Sequence, residues 1–167
     1  MKLFIASVII LFGVVFFLFA LFPSTISVSR IVRINAPADS VFREIADLRT
    51  WATWNMLIRD SRDGKDGKML SAPSADSSRL ISGDLTVSLI KKAADSIITK
   101  WQDRSGRSFT GIYLITESNG QAILQWNLAF HLRWYPWEKL ASMFYDKQLG
   151  PLMEQSLLNL RKTLEPA

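Results

Sequence analysis

The hydrophobic positions of this 167-residue chain begin with an unbroken uncharged run from Leu3 to Phe22, which ends at Pro23. A helix of about twenty residues covers about 30 Å, the thickness of a bilayer's hydrocarbon core. We therefore predict a single-pass transmembrane anchor over residues 1–23, with the lipid bilayer as a partner. The remainder, residues 24–167, is long enough for one folded domain.

Two other interpretations of the apolar run stay open. A cleaved signal peptide would have a shorter apolar region that ends in small residues, whereas this run ends in bulky side chains such as Leu18 and Phe22. A buried core helix is disfavoured because both faces of the run are apolar and because the run is so long. Lys2 favours a cytoplasmic amino terminus and hence a domain on the extracytoplasmic side, although Arg30 and Arg33 oppose that orientation.

Between residues 25 and 134, strand-like segments with apolar faces predict an antiparallel sheet. Thr25 to Asn35 is the first predicted strand, and Arg30 shares its apolar face. Either the aliphatic part of the Arg30 side chain packs on the sheet while its guanidinium reaches water, or Arg30 is a fixed cation at the rim of a pocket. Arg107 to Thr116 is apolar on both faces and predicts an interior strand.

The clearest alternation follows Asn119-Gly120, a dipeptide that favours a two-residue hairpin turn. One face of the strand that follows is apolar and the other is polar, so this strand is predicted to be half buried. The apolar positions are Ala122, Leu124, Trp126, Leu128, Phe130, Leu132 and Trp134. A sheet with one buried face requires a helical cover.

The sequence contains two helical patterns, and the longer of them supplies that cover. A short one begins near Ala38 and leads to Trp51 and Trp54, whose spacing puts both indoles on one side of a helical turn. These indoles are core or lid aromatics, or the edge of a cavity. The longer pattern spans Pro136 to Leu164, with a predicted kink at Gly150-Pro151 that either follows the curve of the sheet or opens a gap for a ligand.

Arg59 to Ser78 is rich in Ser, Asp and Gly, and it predicts a loop with a short strand around Lys68 to Ser71. Asp60, Asp63 and Asp66 recur at every third position. That spacing differs from the alternating ligands of a calcium-binding loop, so we interpret these carboxylates as solvated.

Composition narrows the possible chemistry. The formal net charge is +5 at pH 7, but the basic residues are scattered, so the sequence does not favour nucleic-acid binding. The chain has no cysteine and one histidine, His131, which lies on a polar strand face. We predict no metal, no cofactor and no catalytic residue; the oligomeric state is open.

Two segments carry a resemblance to a known superfamily. INAPADSVFREIADLRTWATWN, from Ile34 to Asn55, and YPWEKLASMFYDKQLGPLMEQSLLNLRKTLE, from Tyr135 to Glu165, resemble the SRPBCC superfamily of START-like, helix-grip domains, related to polyketide cyclases and the birch pollen allergen. The resemblance is closest to membrane-anchored bacterial members. It departs after Trp54, where a further tryptophan-containing turn with proline is missing.

This resemblance implies an α+β fold. The implied architecture is a curved antiparallel sheet of about seven strands that grips a long C-terminal helix. Two short helices should lie between the first and second strands, and a cavity between sheet and C-terminal helix.

We expect that cavity to bind or carry a hydrophobic small molecule, such as a lipid or an isoprenoid, although the same residues could fill a closed core. The residues predicted to line it are Arg30, Trp54, Trp101, Trp126, Phe130, Met143 and Phe144. One alternative is a cyclase- or dehydratase-like enzyme, for which Arg30 is the sole ionisable candidate. Another is a protein-interaction module with a closed core.

Overall fold

One antiparallel sheet organises the domain, as a computed structural model of the chain shows. The structure describes residues 2–20, 24–63, 74–133, 135, 138 and 144–165. The strands are β1 (Thr25–Ile34), β2 (Ser74–Ala75), β3 (Arg79–Ser82), β4 (Leu85–Lys92), β5 (Ser96–Asp103), β6 (Ser108–Ser118) and β7 (Gln121–His131). Their order in the sheet is β1-β7-β6-β5-β4-β3-β2, and all neighbours are antiparallel.

Six of these strands have four or more residues, and β2 has two. The expected number of about seven is therefore reached only when this short edge strand is counted. The first strand has the predicted inward face, because Val28 and Ile34 are buried while Ile31, on the other face, is exposed.

The hairpin between β6 and β7 is the predicted one. Asn119 and Gly120 both have positive φ, 54° and 75°, as a two-residue turn of this hand requires. The turn pairs Ser118 with Gln121 and thereby sets the register of the whole hairpin. Along β7 the inward side chains are buried, and the strand ends at His131 rather than at the predicted Trp134, which lies outside the described residues.

The helices that follow β1 are α2 (Ala38–Ala46), a 3-10 turn (Leu48–Thr50), α3 (Trp51–Trp54) and α4 (Met56–Asp63). The predicted loop from Arg59 was placed too early, because α4 continues to Asp63. Its first turn is stabilised by the Asn55 side chain, whose Oδ1 accepts from the Leu57 amide at 3.1 Å, and Ile58 is fully buried. The predicted short strand at Lys68 to Ser71 lies outside the described residues.

The C-terminal helix, α5, is described over Tyr145–Leu164 and runs through Pro151. The predicted start at Pro136 lies outside the described residues. The buried face of α5 is formed by Gly150, Met153, Ser156, Leu157 and Leu160. Ser156 also ties α5 to α4, since its hydroxyl accepts from the Met56 amide at 2.8 Å and donates to the Leu152 carbonyl at 2.6 Å.

The N-terminal helix, α1, spans Lys2–Ala20. Several of its apolar side chains are exposed, among them Phe4, Phe12 and Phe17. Among the described residues, no helix is both long and apolar enough to cross a membrane. The apolar run itself continues to Phe22, beyond the described end of α1, and the transmembrane anchor stays a prediction.

Candidate functional site

An aromatic cluster occupies the space between the sheet and the helices. It consists of Trp51 and Trp54 from α3, Trp101 from β5, Tyr113 from β6 and Trp126 from β7, and all five side chains have 0% exposure. The ring centroid of Trp126 lies 5.3 Å from that of Tyr113, 6.2 Å from that of Trp101 and 6.5 Å from that of Trp54. The ring centroid of Trp51 lies 5.5 Å, 5.7 Å and 5.3 Å from those of the same three residues. The cluster is therefore built from both the sheet and the helical cover.

The cluster extends toward one edge of the sheet through a second set of rings. Trp101 stacks on Phe109 at 5.6 Å, Phe109 stacks on Phe130 at 4.7 Å, and Phe130 meets Tyr145 of α5 edge to face at 4.9 Å. These outer rings are only partly buried, so the continuous row of rings leads from the interior to the beginning of α5.

Strand register explains why these rings meet. Tyr113 faces Trp126 across the β6–β7 pair, and Arg30 is the partner of Trp126 across the β1–β7 pair. Gly111 of β6 leaves room for Trp101, because a Cβ at Gly111 would lie 2.6 Å from both Trp101 Nε1 and Thr99 Oγ1. Gly111 is thus needed for a close approach that a larger residue would block.

The polar atoms of the aromatic cluster fall into two groups. Trp51 Nε1 donates to the Ile45 carbonyl at 3.0 Å, and Trp101 Nε1 donates to Thr99 Oγ1 at 2.9 Å. In contrast, Trp54 Nε1, Trp126 Nε1 and the Tyr113 hydroxyl have no hydrogen-bond partner among the described residues. Three buried polar atoms are thus left unpartnered in one place.

Burial also fixes the protonation of Tyr113. Removal from water raises the pKa of this phenol well above its usual value, and the neighbouring Trp126 indole only partly opposes that effect. The two groups nevertheless do not meet the geometry of a hydrogen bond. The hydroxyl remains protonated at neutral pH and can donate.

Arg30 forms a clasp between β1 and α5. Its Nε donates to Glu154 Oε1 at 2.7 Å, and its Nη1 lies 2.9 Å from Asp146 Oδ1 and 2.9 Å from the Ser29 carbonyl. The hydrogen bonds that Arg30 donates to the Asp146 and Glu154 carboxylates raise the pKa of Arg30. The guanidinium rests on Gly150, where a Cβ would clash with Nη2.

The predicted lining residues separate into several groups. Trp54, Trp101 and Trp126 meet in the aromatic cluster, and Phe130 lies among the outer rings. Phe144 stays 56% exposed at the start of α5 and is not brought into the cluster. Arg30 lies beside Trp126 in register, but its head group faces α5. Met143 lies outside the described residues.

A separate open depression of ≈ 320 Å³ lies at the far end of β1 and is lined by Arg33, Asn35, Gln121, Arg161 and Glu165. The Asn35 amide and Arg161 both donate to Glu165, and together they lower the pKa of this carboxylate. This depression is polar and lies away from the aromatic cluster, so the two sites differ in chemistry.

The sequence and fold identify a family. Residues 25–165 match the family described as "Polyketide cyclase / dehydrase and lipid transport". The chain belongs to this family. It is accordingly a START-like, polyketide-cyclase-like ligand-binding domain, with the antiparallel sheet and C-terminal helix that the resemblance implied. No curated protein matches the chain in sequence.

Solved structures show the same fold at low sequence identity. A START superfamily protein from Mycobacterium smegmatis has a TM-score of 0.54 at 18% identity, over 83% of this chain and 96% of that chain. A Bacillus halodurans protein has a TM-score of 0.60 at 14% identity, and the match covers 86% of this chain and 100% of that chain. DynU16, from the dynemicin biosynthetic locus, has a TM-score of 0.54 at 19% identity. The match covers 83% of this chain but only 46% of DynU16.

The chemistry available in the aromatic cluster is that of binding. Its rings offer apolar surface and its unpartnered atoms offer hydrogen bonds. Arg30, the one ionisable group that the sequence offered for catalysis, is held by two carboxylates. His131 is exposed at the end of β7, 3.3 Å from Thr25 Oγ1. Both residues therefore contribute contacts within the fold.

The Arg30 clasp predicts energetic coupling between Arg30 and Gly150. Gly150→Ala brings a Cβ against the guanidinium and also disfavours the helical backbone before Pro151. Arg30→Ala removes the first of these penalties but not the second. We expect the double variant to be less destabilised than the sum of the single variants, by about 1 kcal/mol, in urea unfolding of the detergent-solubilised chain. Strictly additive effects would contradict the contact.

Proposed function

We propose that the chain is a membrane-anchored protein that binds or carries a hydrophobic small molecule, of the lipid or isoprenoid kind, between its sheet and α5. The observation that supports this proposal most is the aromatic cluster, which places polarizable apolar rings on the inner face of a fold whose family description includes lipid transport. Apolar sites with few polar groups are typical of small-molecule binding.

The surroundings of the aromatic cluster support an apolar ligand. From α5, Met153, Leu157 and Leu160 add buried apolar side chains to the same core. Arg30 is the strand partner of Trp126, and its guanidinium is paired with Asp146 and Glu154. Because the rings of the aromatic cluster are packed together with 0% exposure, a ligand would have to enter between them, and it would then be held mainly by burial of its apolar surface.

The membrane part of the proposal rests on residues 3–22. An apolar helix with exposed side chains such as Phe12 and Phe17 is unfavourable in water and favourable in lipid. Only Pro23 and Ser24 separate this run from β1. The domain would therefore lie close to the bilayer, on the extracytoplasmic side if Lys2 stays in the cytoplasm, where it could collect ligands that partition into lipid.

Ligand binding can be tested with farnesol, a C15 isoprenoid alcohol, and the full chain in mild detergent. We expect native mass spectrometry to show a one-to-one complex. Trp126→Phe removes part of the indole surface and should weaken the complex about fivefold. Ile31→Ala, on the outer face of β1, is the matched control and should leave it unchanged. If neither farnesol nor any component of a total lipid extract forms a complex, the proposed function is contradicted.

Membrane anchoring can be tested by alkaline carbonate extraction of membranes that contain the full chain. We expect the protein to remain with the membrane pellet, as a spanning helix does. Leu11→Arg combined with Val14→Arg puts two charges in the middle of the run. Each arginine raises the free energy of membrane insertion by about 3 kcal/mol. This double variant should appear in the supernatant. Release of the unaltered chain would exclude a transmembrane anchor.

A further inference from the structure

The starting observation is the set of three unpartnered polar atoms in the aromatic cluster. Trp54 Nε1, Trp126 Nε1 and the Tyr113 hydroxyl belong to side chains with 0% exposure, and the Trp126 ring contacts both of the other rings. A buried polar atom without a partner is destabilising, so such atoms are rare in folded proteins and call for an explanation.

Burial alone does not explain these atoms. Trp51 and Trp101 are equally buried in the same cluster, and the fold gives each indole an acceptor, the Ile45 carbonyl and Thr99 Oγ1. The cluster thus contains two indoles that are satisfied within the protein and two that are not. The second pair lies on opposite sides of the interior, Trp54 on α3 and Trp126 on β7.

The chemistry of the three groups defines what they could bind. An indole N–H only donates, and the protonated Tyr113 hydroxyl can donate as well. Together they offer up to three donors to one acceptor. The acceptor would have to be neutral, because a carboxylate buried without a free cation is strongly disfavoured, and Arg30 is already paired with Asp146 and Glu154.

We propose that Trp54, Trp126 and Tyr113 form a polar anchor that binds the carbonyl oxygen of an otherwise apolar ligand. The ligand class is a long-chain ketone, ester or amide. This inference rests on the proposed function, since it assigns the polar part of a molecule whose apolar part lies in the same interior. The polar anchor would favour carbonyl ligands over pure hydrocarbons, which have no acceptor, and over carboxylates, which are charged.

The test compares 2-tridecanone with n-tridecane on the full chain in lipid nanodiscs. Indole ¹⁵N labelling gives one signal per tryptophan, and Trp→Phe variants assign them. We expect the ketone to move the Trp54 and Trp126 indole protons downfield as they form hydrogen bonds. The Trp51 and Trp101 signals, whose protons are already bonded, should stay near their positions and serve as internal controls.

A variant separates hydrogen bonding from packing. Tyr113→Phe keeps the ring and removes only the hydroxyl, so it should weaken ketone binding about fivefold and leave tridecane binding unchanged. Because the lost hydroxyl is unpartnered, the thermal midpoint of the ligand-free protein should not fall. Thr116→Val removes an exposed hydroxyl from the outer face of the same strand and should change neither affinity.

Three outcomes would overturn the inference. Equal binding of both probes, with Tyr113→Phe without effect, would leave the proposed function standing and remove the polar anchor. The indole signals of Trp54 and Trp126 could already lie downfield without ligand and not move when the ketone is added. That result would mean that these N–H groups donate to buried water and not to a ligand. Failure of both probes to bind would contradict the proposed function and this inference together.

Discussion

The packing of rings in the aromatic cluster is the interaction on which the rest of the domain depends. Trp126 contacts rings from α3, β5 and β6, and Trp51 of α3 contacts Trp101 and Tyr113, so the sheet and its helical cover are joined through these rings. Burial of each such side chain contributes about 3 kcal/mol. A fold stabilised in this way can retain three unpartnered polar atoms within the aromatic cluster, although each costs about 1–3 kcal/mol.

The Arg30 clasp complements this interior from the edge. Arg30 is the register partner of Trp126, yet its guanidinium reaches over Gly150 to Asp146 and Glu154. It thereby holds α5 against β1 where the helix contains Pro151. The sequence suggested that Arg30 is either solvated or a cation at the rim of a pocket. Neither interpretation included the carboxylate partners that Arg30 has on α5.

Local pattern predicted the strands well and the long-range contacts poorly. The alternation along β7 and the Asn119-Gly120 turn gave the hairpin correctly, and that two-residue turn already sets Tyr113 opposite Trp126. Tyr113 could therefore have been included among the candidate site residues, and it was missed. The contact of Arg30 with Gly150 joins residues far apart in the chain, so no local pattern could indicate it.

Photoaffinity labelling tests the central claim, that an apolar ligand lies against the aromatic cluster between sheet and helices. A farnesol analogue with a diazirine on its chain would be irradiated with the full chain in nanodiscs, and the labelled peptides mapped by mass spectrometry. The account predicts labels on peptides that contain Trp54 and Trp126, suppressed by excess farnesol. Labels confined to α1 or to the outer face around Ile31 would contradict it.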